Sequence, residues 1–183
     1  MSRKHRLCFS CQKERRRSFL AAVASALDYE GPARTLVTEL KYGKKQYLAP
    51  AIASYMQAHF AALDWPKPDV VVPVPISFSH WLSRRFNQSA LLAQELANAL
   101  DVPCKQVLLR KSGSYAQAGL SVKQRRGLDS TSFYVWQGAS VEDEIVLLVD
   151  DVFTTGTTLA CCAEALLDSC PQAIFGYTAC RAQ

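Results

Sequence analysis

The sequence predicts an α/β fold with a mostly parallel central sheet flanked by helices. Short β-branched segments alternate with amphipathic helical segments through the last two thirds of the chain, an order typical of parallel sheets. About half of the 183 residues are hydrophobic and a fifth are charged, which is the composition of a globular domain. The length suits one domain of ordinary size with a short appendage.

Six segments have the features of strands, because they are short, apolar and bounded by turn residues. Asp69–Ile76 is β-branched without polar alternation, which predicts a strand buried on both faces. Glu144–Val149 is the clearest of the six, since an apolar run is followed directly by two acids. The predicted strands are Leu20–Tyr29, Asp69–Ile76, Val107–Leu109, Phe133–Trp136, Glu144–Val149 and Ala173–Cys180.

Four longer segments place apolar residues three or four positions apart, as on one face of a helix. The predicted helices are Ala33–Lys41, Leu48–Leu63, Ala90–Leu100 and Thr158–Ser169. The residues of the second helix that we expect to be buried are Ile52, Tyr55, Met56 and Phe60. Two stretches lack periodicity, so Ser77–Ser89 is predicted to be a polar loop and Arg110–Asp129 a mobile basic loop.

Positive charge is concentrated at the N-terminus. Residues 1–17 contain seven Lys/Arg and one Glu, a balance of +6, and the other 166 residues contain 14 basic and 15 acidic groups, a balance of −1. We therefore predict a basic tail over residues 1–18 and a folded domain over residues 19–183. Such a tail can attract nucleic acid or another polyanion, or it can simply be a solvated terminus.

Several features favour a cytoplasmic protein. The segment Ser18–Leu27 imitates a signal peptide, but it is short and continues into charged residues, so a strand is the better interpretation. Seven cysteines, with Cys161 and Cys162 adjacent, do not form a disulfide pattern. No stretch reaches the roughly 18 apolar residues of a spanning helix, so membrane insertion is not expected.

The strongest chemical signal follows the strand Glu144–Val149. Asp150 and Asp151 accept hydrogen bonds at neutral pH and suit a donor such as a vicinal diol. The turn behind them can surround a phosphate with backbone N–H groups and hydroxyls at a helix N-terminus. That turn consists of Thr154, Thr155, Gly156, Thr157 and Thr158. A diol and a phosphate on one small molecule describe a ribose 5-phosphate.

The same residues could serve only to cap a turn and a helix. Capping needs one or two side chains, whereas this loop combines two acids, four threonines and a glycine, so a ligand site is favoured. The segment resembles the phosphoribosyl diphosphate (PRPP) motif of type I phosphoribosyltransferases. The resemblance implies a type I phosphoribosyltransferase-like fold, in which the acids hold the ribose hydroxyls and the threonine turn holds the 5′-phosphate.

The resemblance also implies a chemistry. In that family Mg2+ bridges the pyrophosphate and the ribose, so Asp150 and Asp151 would contact the metal indirectly, and the bond at C1′ breaks through an oxocarbenium-like transition state. Purine-salvage members have an acid where this chain has Thr154, which disfavours purine salvage. The sequence identifies no catalytic acid or base, since any general base would have to come from elsewhere.

A second constellation narrows the family. Val71–Ile76 and Arg84–Ser89 form a strand, a loop and a helix start, and the cations Arg84 and Arg85 offer a place for pyrophosphate beside a helix N-terminus. The two segments resemble the Val-Pro-Val-Pro and Arg-Gly-Phe-Asn-Gln signature of the ComF/GntX family of phosphoribosyltransferase-like proteins. The resemblance extends over nearly the whole chain from about Tyr29.

The chain departs from that family in three places. Arg85 stands where the family usually has Gly, and Leu128 stands at a position that is commonly Asn. The family often has an N-terminal zinc finger with two cysteine pairs, whereas this chain has only Cys8-x-x-Cys11, with His5 nearby. Because structural zinc normally takes four ligands, the single pair weighs against zinc and leaves it open.

The basic loop Arg110–Asp129 has a counterpart in the resemblance. In type I phosphoribosyltransferases a similar loop closes over PRPP and often lends a cation to the neighbouring subunit's site, which implies a role for Lys111 at the pyrophosphate and a homodimer. Closure would exclude water from the reactive intermediate. The alternative is a solvated basic loop.

Two classes of function follow. The first is a Mg2+-dependent phosphoribosyltransferase that binds PRPP, transfers phosphoribose to an unidentified acceptor and acts in natural competence, the uptake of DNA. The second is a non-catalytic competence factor that binds single-stranded DNA through its basic segments, uses PRPP only as a ligand and works with other competence proteins. Salt dependence would identify DNA binding, and Mg2+ dependence would identify PRPP binding.

Overall fold

The computed structural model describes residues 19–111 and 132–182. The strands are β1 (Ala22–Asp28), β2 (Val70–Pro73), β3 (Leu108–Arg110), β4 (Phe133–Val135), β5 (Ile145–Phe153) and β6 (Ala173–Arg181). The helices are α1 (Gly31–Lys41), α2 (Ala49–Phe60), α3 (Phe78–Arg84), α4 (Gln88–Leu100) and α5 (Thr157–Leu166), with 3-10 turns at Gln46–Leu48 and Leu167–Ser169. In this part of the chain, helices that could span a membrane are absent.

Four strands form a parallel sheet in the order β1-β6-β5-β2. β3 and β4 form a separate antiparallel pair. Parallel strands all end at one edge of their sheet, and ligands of such folds lie beyond that edge. The ends of β5 and β2 are neighbours there, because Pro73 is paired with Val149.

Two apolar layers cover the sheet, as strands buried on both faces require. Successive residues of β5 face opposite layers. Leu147 and Val149 pack with α1, α2 and α4 in one layer, and Val146 and Leu148 pack with α5, β3 and β4 in the other. All four residues of β2 are buried, which confirms the expectation that this strand is covered on both sides.

The α/β class and the parallel central sheet are confirmed, and the predicted strands and helices lie within a few residues of the observed ones. The prediction that Tyr55 is buried is wrong, since this residue is 56% exposed. The buried face of α2 follows the four-residue spacing of Ile52, Met56 and Phe60. The predicted loop Arg110–Asp129 lies outside the described residues beyond Lys111.

Two elements near the sheet edge also differ from expectation. The predicted polar loop Ser77–Ser89 contains α3, which is too short for apolar periodicity to reveal it. The predicted strand ending at Val149 continues to Phe153, because Asp150 is paired with Thr178 and Phe153 with Arg181 on β6. Both acids therefore belong to the rigid strand rather than to the loop behind it.

Candidate functional site at the carboxyl edge of the sheet

Asp150 and Asp151 are held by contacts from two different helices. Ser89 at the start of α4 donates from Oγ to Asp150 Oδ1 at 2.8 Å, and the same oxygen accepts from the Asp151 backbone N–H at 2.8 Å. At the end of α1, Lys41 Nζ lies 2.7 Å from Asp151 Oδ1, and the two side chains are only 15% and 12% exposed. The acids are therefore fixed by hydrogen bonds and a largely buried ion pair.

The electrostatics of the acid pair are uneven. Burial and, to a smaller extent, the neighbouring charge of Asp151 together raise the pKa of Asp150 from 3.8 to about 7. The hydrogen bonds from Ser89 and the Asp151 N–H, and the charge of Lys41, oppose that shift of the pKa. A ligand that donates hydroxyl groups to this pair would provide the stabilisation that water no longer supplies to the charged carboxylate.

The turn after β5 leads into the N-terminus of α5. Gly156 has φ +77°, and a Cβ at this position would lie 2.9 Å from the ring of Phe153, so both backbone conformation and space require glycine. Thr155 Oγ1 and Thr157 Oγ1 are hydrogen-bonded at 2.9 Å. Thr154, Thr155 and Thr157 are exposed, which leaves their hydroxyls accessible to an anion at this helix N-terminus.

We expect Gly156→Ala to destabilise the protein by about 2–4 kcal/mol, because a left-handed backbone and a crowded Cβ both penalise a side chain. Urea unfolding monitored by circular dichroism measures this. Gly138→Ala is the matched control, since Gly138 has φ +91° but no atom within 4 Å of an added Cβ. Equal losses in the two variants would show that the contact with Phe153 has no role.

The arginines predicted to bind pyrophosphate lie at the end of α3. The Arg84 guanidinium carbon is 4.9 Å from the centre of the Tyr42 ring. Arg85 is exposed and its backbone has φ +69°, while its N–H donates to Trp81 O at 2.6 Å and closes the helix. The left-handed backbone gives a physical reason for glycine at this position in the family that the sequence resembles.

Arg85→Gly is expected to raise the free energy of unfolding by about 1 kcal/mol, since it relieves the left-handed conformation of a residue that bears a Cβ. Urea unfolding of the wild type and the variant tests this. Arg85→Ala is the control, because it removes the charge and keeps the Cβ. A gain of the same size in Arg85→Ala would attribute the effect to charge instead.

The start of α4 fastens the loop behind β2 to the acid pair. Asn87 accepts from the Ser89 N–H at 3.1 Å and donates from Nδ2 to Val74 O at 2.9 Å. Ser89 in turn reaches Asp150. The sequence analysis assigned no role to Lys41, Asn87 or Ser89. Their only signal was the position of Lys41 and of the Asn87–Ser89 segment inside stretches that resemble the family.

The remaining predicted ligands are less well placed. Lys111 follows β3, its backbone N–H donates to Ser132 O at 2.9 Å and its side chain is exposed. Cys8 and Cys11 lie outside the described residues. Within residues 19–111 and 132–182, clusters of three or more His, Cys, Asp or Glu that could hold a metal are absent.

The acid pair can accommodate Mg2+ only as a partner of a bound ligand. Carboxylate oxygens suit this ion, but Lys41 already neutralises Asp151, and Asp150 Oδ1 already accepts two hydrogen bonds. The two acids would thus contact Mg2+ indirectly, through groups of the bound ligand, as the resemblance implies.

A family model and curated relatives agree on one family. Residues 40–181 match the model of the phosphoribosyl transferase domain. The "DNA utilization protein YhgH" of Salmonella typhi is 32% identical over 165 residues, which cover 87% of this chain and 71% of that protein. "Competence protein F" of Haemophilus influenzae is 40% identical over 98 residues, 50% of this chain and 41% of that protein. A glutamine PRPP amidotransferase structure from Bacillus subtilis aligns with TM-score 0.48 and 20% identity, covering 72% of this chain and 26% of that one.

Proposed function

The chain belongs to the ComF family of proteins with a phosphoribosyl transferase domain, and from this premise we propose that it binds PRPP and acts in DNA uptake. The observation that carries the proposal is the sequence of groups along one strand, turn and helix. Asp150 and Asp151 lie in the last part of the parallel strand β5, and the exposed threonines follow between its end and the first turn of α5. Diol acceptors and a phosphate cradle thereby succeed each other within nine residues, 150–158.

Each part of PRPP would meet a group of matching chemistry. Asp150 and Asp151 would accept hydrogen bonds from the two ribose hydroxyls. The N–H groups and hydroxyls of Thr154, Thr155, Gly156, Thr157 and Thr158 would hold the 5′-phosphate. Arg84, with Arg85 and Lys111, would bind the pyrophosphate. Mg2+, when bound with the ligand, would supply positive charge to the pyrophosphate oxygens.

The reaction we propose is phosphoribosyl transfer. The bond between C1′ and the pyrophosphate oxygen breaks, and the electron pair leaves with pyrophosphate. The acceptor's lone pair then forms the new bond to C1′. The chain's contribution would be positioning and electrostatic stabilisation by the acid pair and the cations. The acceptor, and any residue that removes a proton from it, are unidentified.

Calorimetric titration of PRPP into the full chain, with and without Mg2+, tests the proposal. We expect saturable binding that requires Mg2+. An absence of binding under both conditions would contradict the proposed ligand. If PRPP binds, release of pyrophosphate on adding a candidate acceptor distinguishes a transferase from a protein that uses PRPP only as a ligand.

A second candidate is a non-catalytic factor that binds single-stranded DNA. It is favoured by an open groove of about 550 Å3 beside α4, to which Pro75, Ile76, Trp81, Phe86, Gln94 and Gln106 contribute. The Trp81 side chain is 45% exposed, and indole and carboxamide groups are those that stack on and read unpaired bases. Arg84 and Arg85 are close by in sequence and could contact phosphates.

Fluorescence anisotropy with a labelled oligothymidylate tests this candidate. Affinity that falls steeply with salt would support DNA binding through the basic segments. Trp81→Ala should then weaken binding at every salt concentration, since it removes stacking rather than charge. Salt-independent or undetectable binding would contradict the candidate.

The proposed function also extends to the location, domain organisation and partners of the chain. We place it in the cytoplasm, with a basic tail at residues 1–18 and the phosphoribosyltransferase-like domain at residues 19–183. Single-stranded DNA and other competence proteins would be its macromolecular partners, and a second copy of the chain would form a homodimer. Cys8 and Cys11 would supply at most two ligands of a zinc site.

A further inference from the structure

The end of α1 contacts both halves of the candidate site. Lys41 pairs with Asp151, and the adjacent Tyr42 lies against Arg84. We propose that Lys41 and Tyr42 are positioning residues that fix the spacing between the ribose-binding acids and the pyrophosphate-binding arginine. The inference rests on the proposed function, since it assigns these residues to the same PRPP site.

The backbone of this segment is firmly placed. Leu40 is fully buried in the layer formed by α1, α2 and α4, and the Tyr42 N–H donates to Thr38 O at 2.8 Å, which closes the helix. A Cβ at Gly43 would lie 2.8 Å from Glu39 O, so the chain turns back closely on the helix at this residue. Lys41 and Tyr42 therefore project from a rigid backbone segment.

The ion pair of Lys41 connects this backbone segment to the sheet. The ion pair joins α1 to β5 across a distance of 2.7 Å, and it is largely removed from solvent. Largely buried pairs are screened little by salt and are held in one geometry. Lys41 consequently holds Asp151, and through the strand also the neighbouring Asp150, at a set position relative to α1.

The ring of Tyr42 connects the same backbone segment to Arg84. The Tyr42 ring is 69% exposed, so its burial contributes little, yet the Arg84 guanidinium lies over it at 4.9 Å. A guanidinium over an aromatic face is attracted by the ring electrons. The ring thus restricts a long side chain that would otherwise sample many rotamers.

The chemistry of PRPP gives this arrangement its purpose. Its ribose hydroxyls and its pyrophosphate are joined through C1′, so the groups that receive them must keep a fixed separation. Two consecutive residues of one rigid segment hold one receiving group each. A loss at Tyr42 should therefore be felt only by ligands with a pyrophosphate, and a loss at Lys41 by every ligand with the ribose diol.

Calorimetric titration with PRPP and with ribose 5-phosphate, in saturating Mg2+, separates the two roles. We expect Tyr42→Leu to weaken PRPP binding about three- to fivefold and to leave ribose 5-phosphate binding within about twofold of the wild type. Tyr42→Phe should restore PRPP affinity because it keeps the ring. Lys41→Met should lower the affinity for both ligands by at least roughly tenfold. Lys41→Arg, which keeps the positive charge, should lose less affinity.

Two neighbouring residues provide matched controls. Tyr47→Leu removes another exposed ring, and Lys45→Met removes the exposed ion pair with Glu39. Both should leave the two affinities unchanged. Equal weakening of PRPP and ribose 5-phosphate by Tyr42→Leu, with no rescue by Tyr42→Phe, would overturn the inference, because a merely structural role predicts that result.

A ligand-free measurement separates the inference from the proposed function. The ring of Tyr42 should shift the NMR signal of the Arg84 Nε–H group, and Tyr42→Leu should abolish that shift while Tyr42→Phe keeps it. If the wild type binds neither ligand, the proposed function fails and this measurement decides whether the segment still positions Arg84. An Arg84 signal that is identical in all three proteins would overturn the positioning role.

Discussion

Replacing Asp150 and Asp151 together by asparagine is expected to abolish PRPP binding while the fold is retained. Hydrogen bonds from ligand hydroxyls to a carboxylate contribute about 1.5–3 kcal/mol each, and two lost together would weaken binding by roughly a hundredfold or more. The fold should survive, because the asparagine at position 150 can still accept from Ser89 Oγ, and the backbone ladder from β5 to β6 is untouched.

The measurement is calorimetric titration of PRPP in Mg2+, with circular dichroism to verify the fold. Asp64→Asn is the matched control, since it removes one exposed carboxylate in the loop after α2. Because the double variant leaves Lys41 without its partner, a third protein that also carries Lys41→Met tests whether lost affinity reflects a stranded ammonium. PRPP affinity equal to that of the wild type in a folded double variant would refute the assignment of the acids to the ribose.

The acids and the threonine turn could be predicted from sequence because their signal is local. The apolar run that ends at Val149, the two acids and the glycine-containing turn lie in one continuous segment, and hydrophobic periodicity places that segment on a strand and a helix. The position of this segment at the carboxyl edge of a parallel sheet then follows from the alternation of strands and helices.

The partners of the acids could not be predicted in the same way. Lys41 and Asp151 are far apart in the chain, and Ser89 and Asp150 are 61 positions apart. Such contacts depend on how α1 and α4 pack on the sheet, and a lysine at the end of a helix is usually a solvated residue. Residue types and spacing therefore identify the candidate segment but not the side chains that hold it in place.

The missed helix α3 and the longer strand β5 have different causes. α3 has only seven residues, and Trp81 and Leu82 on it are exposed, so its sequence is too short a window for the apolar periodicity that indicates a helix. β5 carries its acids inside the strand, where charged residues are unusual, and it stays paired with β6 on both sides of them, with Asp150 opposite Thr178 and Val152 opposite Cys180. At β5, pairing with a distant strand thus overrides the local pattern.

The Asp150 carboxyl should make the protein less stable as the pH rises from about 4 to 7. The ordinary pKa of this carboxyl is 3.8, and in the folded chain it is raised to about 7, chiefly because of burial. In that interval the folded state keeps a proton that the unfolded chain releases. The contribution of Asp150 to the free energy of unfolding is therefore fully present below pH 4 and is lost as the pH rises through the folded pKa. Each unit of pKa corresponds to about 1.4 kcal/mol, so the loss reaches a few kcal/mol.

Asp150→Asn removes this charge and keeps the acceptor for Ser89, so we expect the variant to be more stable than the wild type at pH 8 and no more stable at pH 4. Urea unfolding at both pH values, with Asp168→Asn as an exposed control, measures the difference. A variant less stable than the wild type at pH 8 would contradict the argument. If the variant gains stability and loses PRPP, the buried charge is kept for the ligand at the expense of the fold, as is common for binding residues.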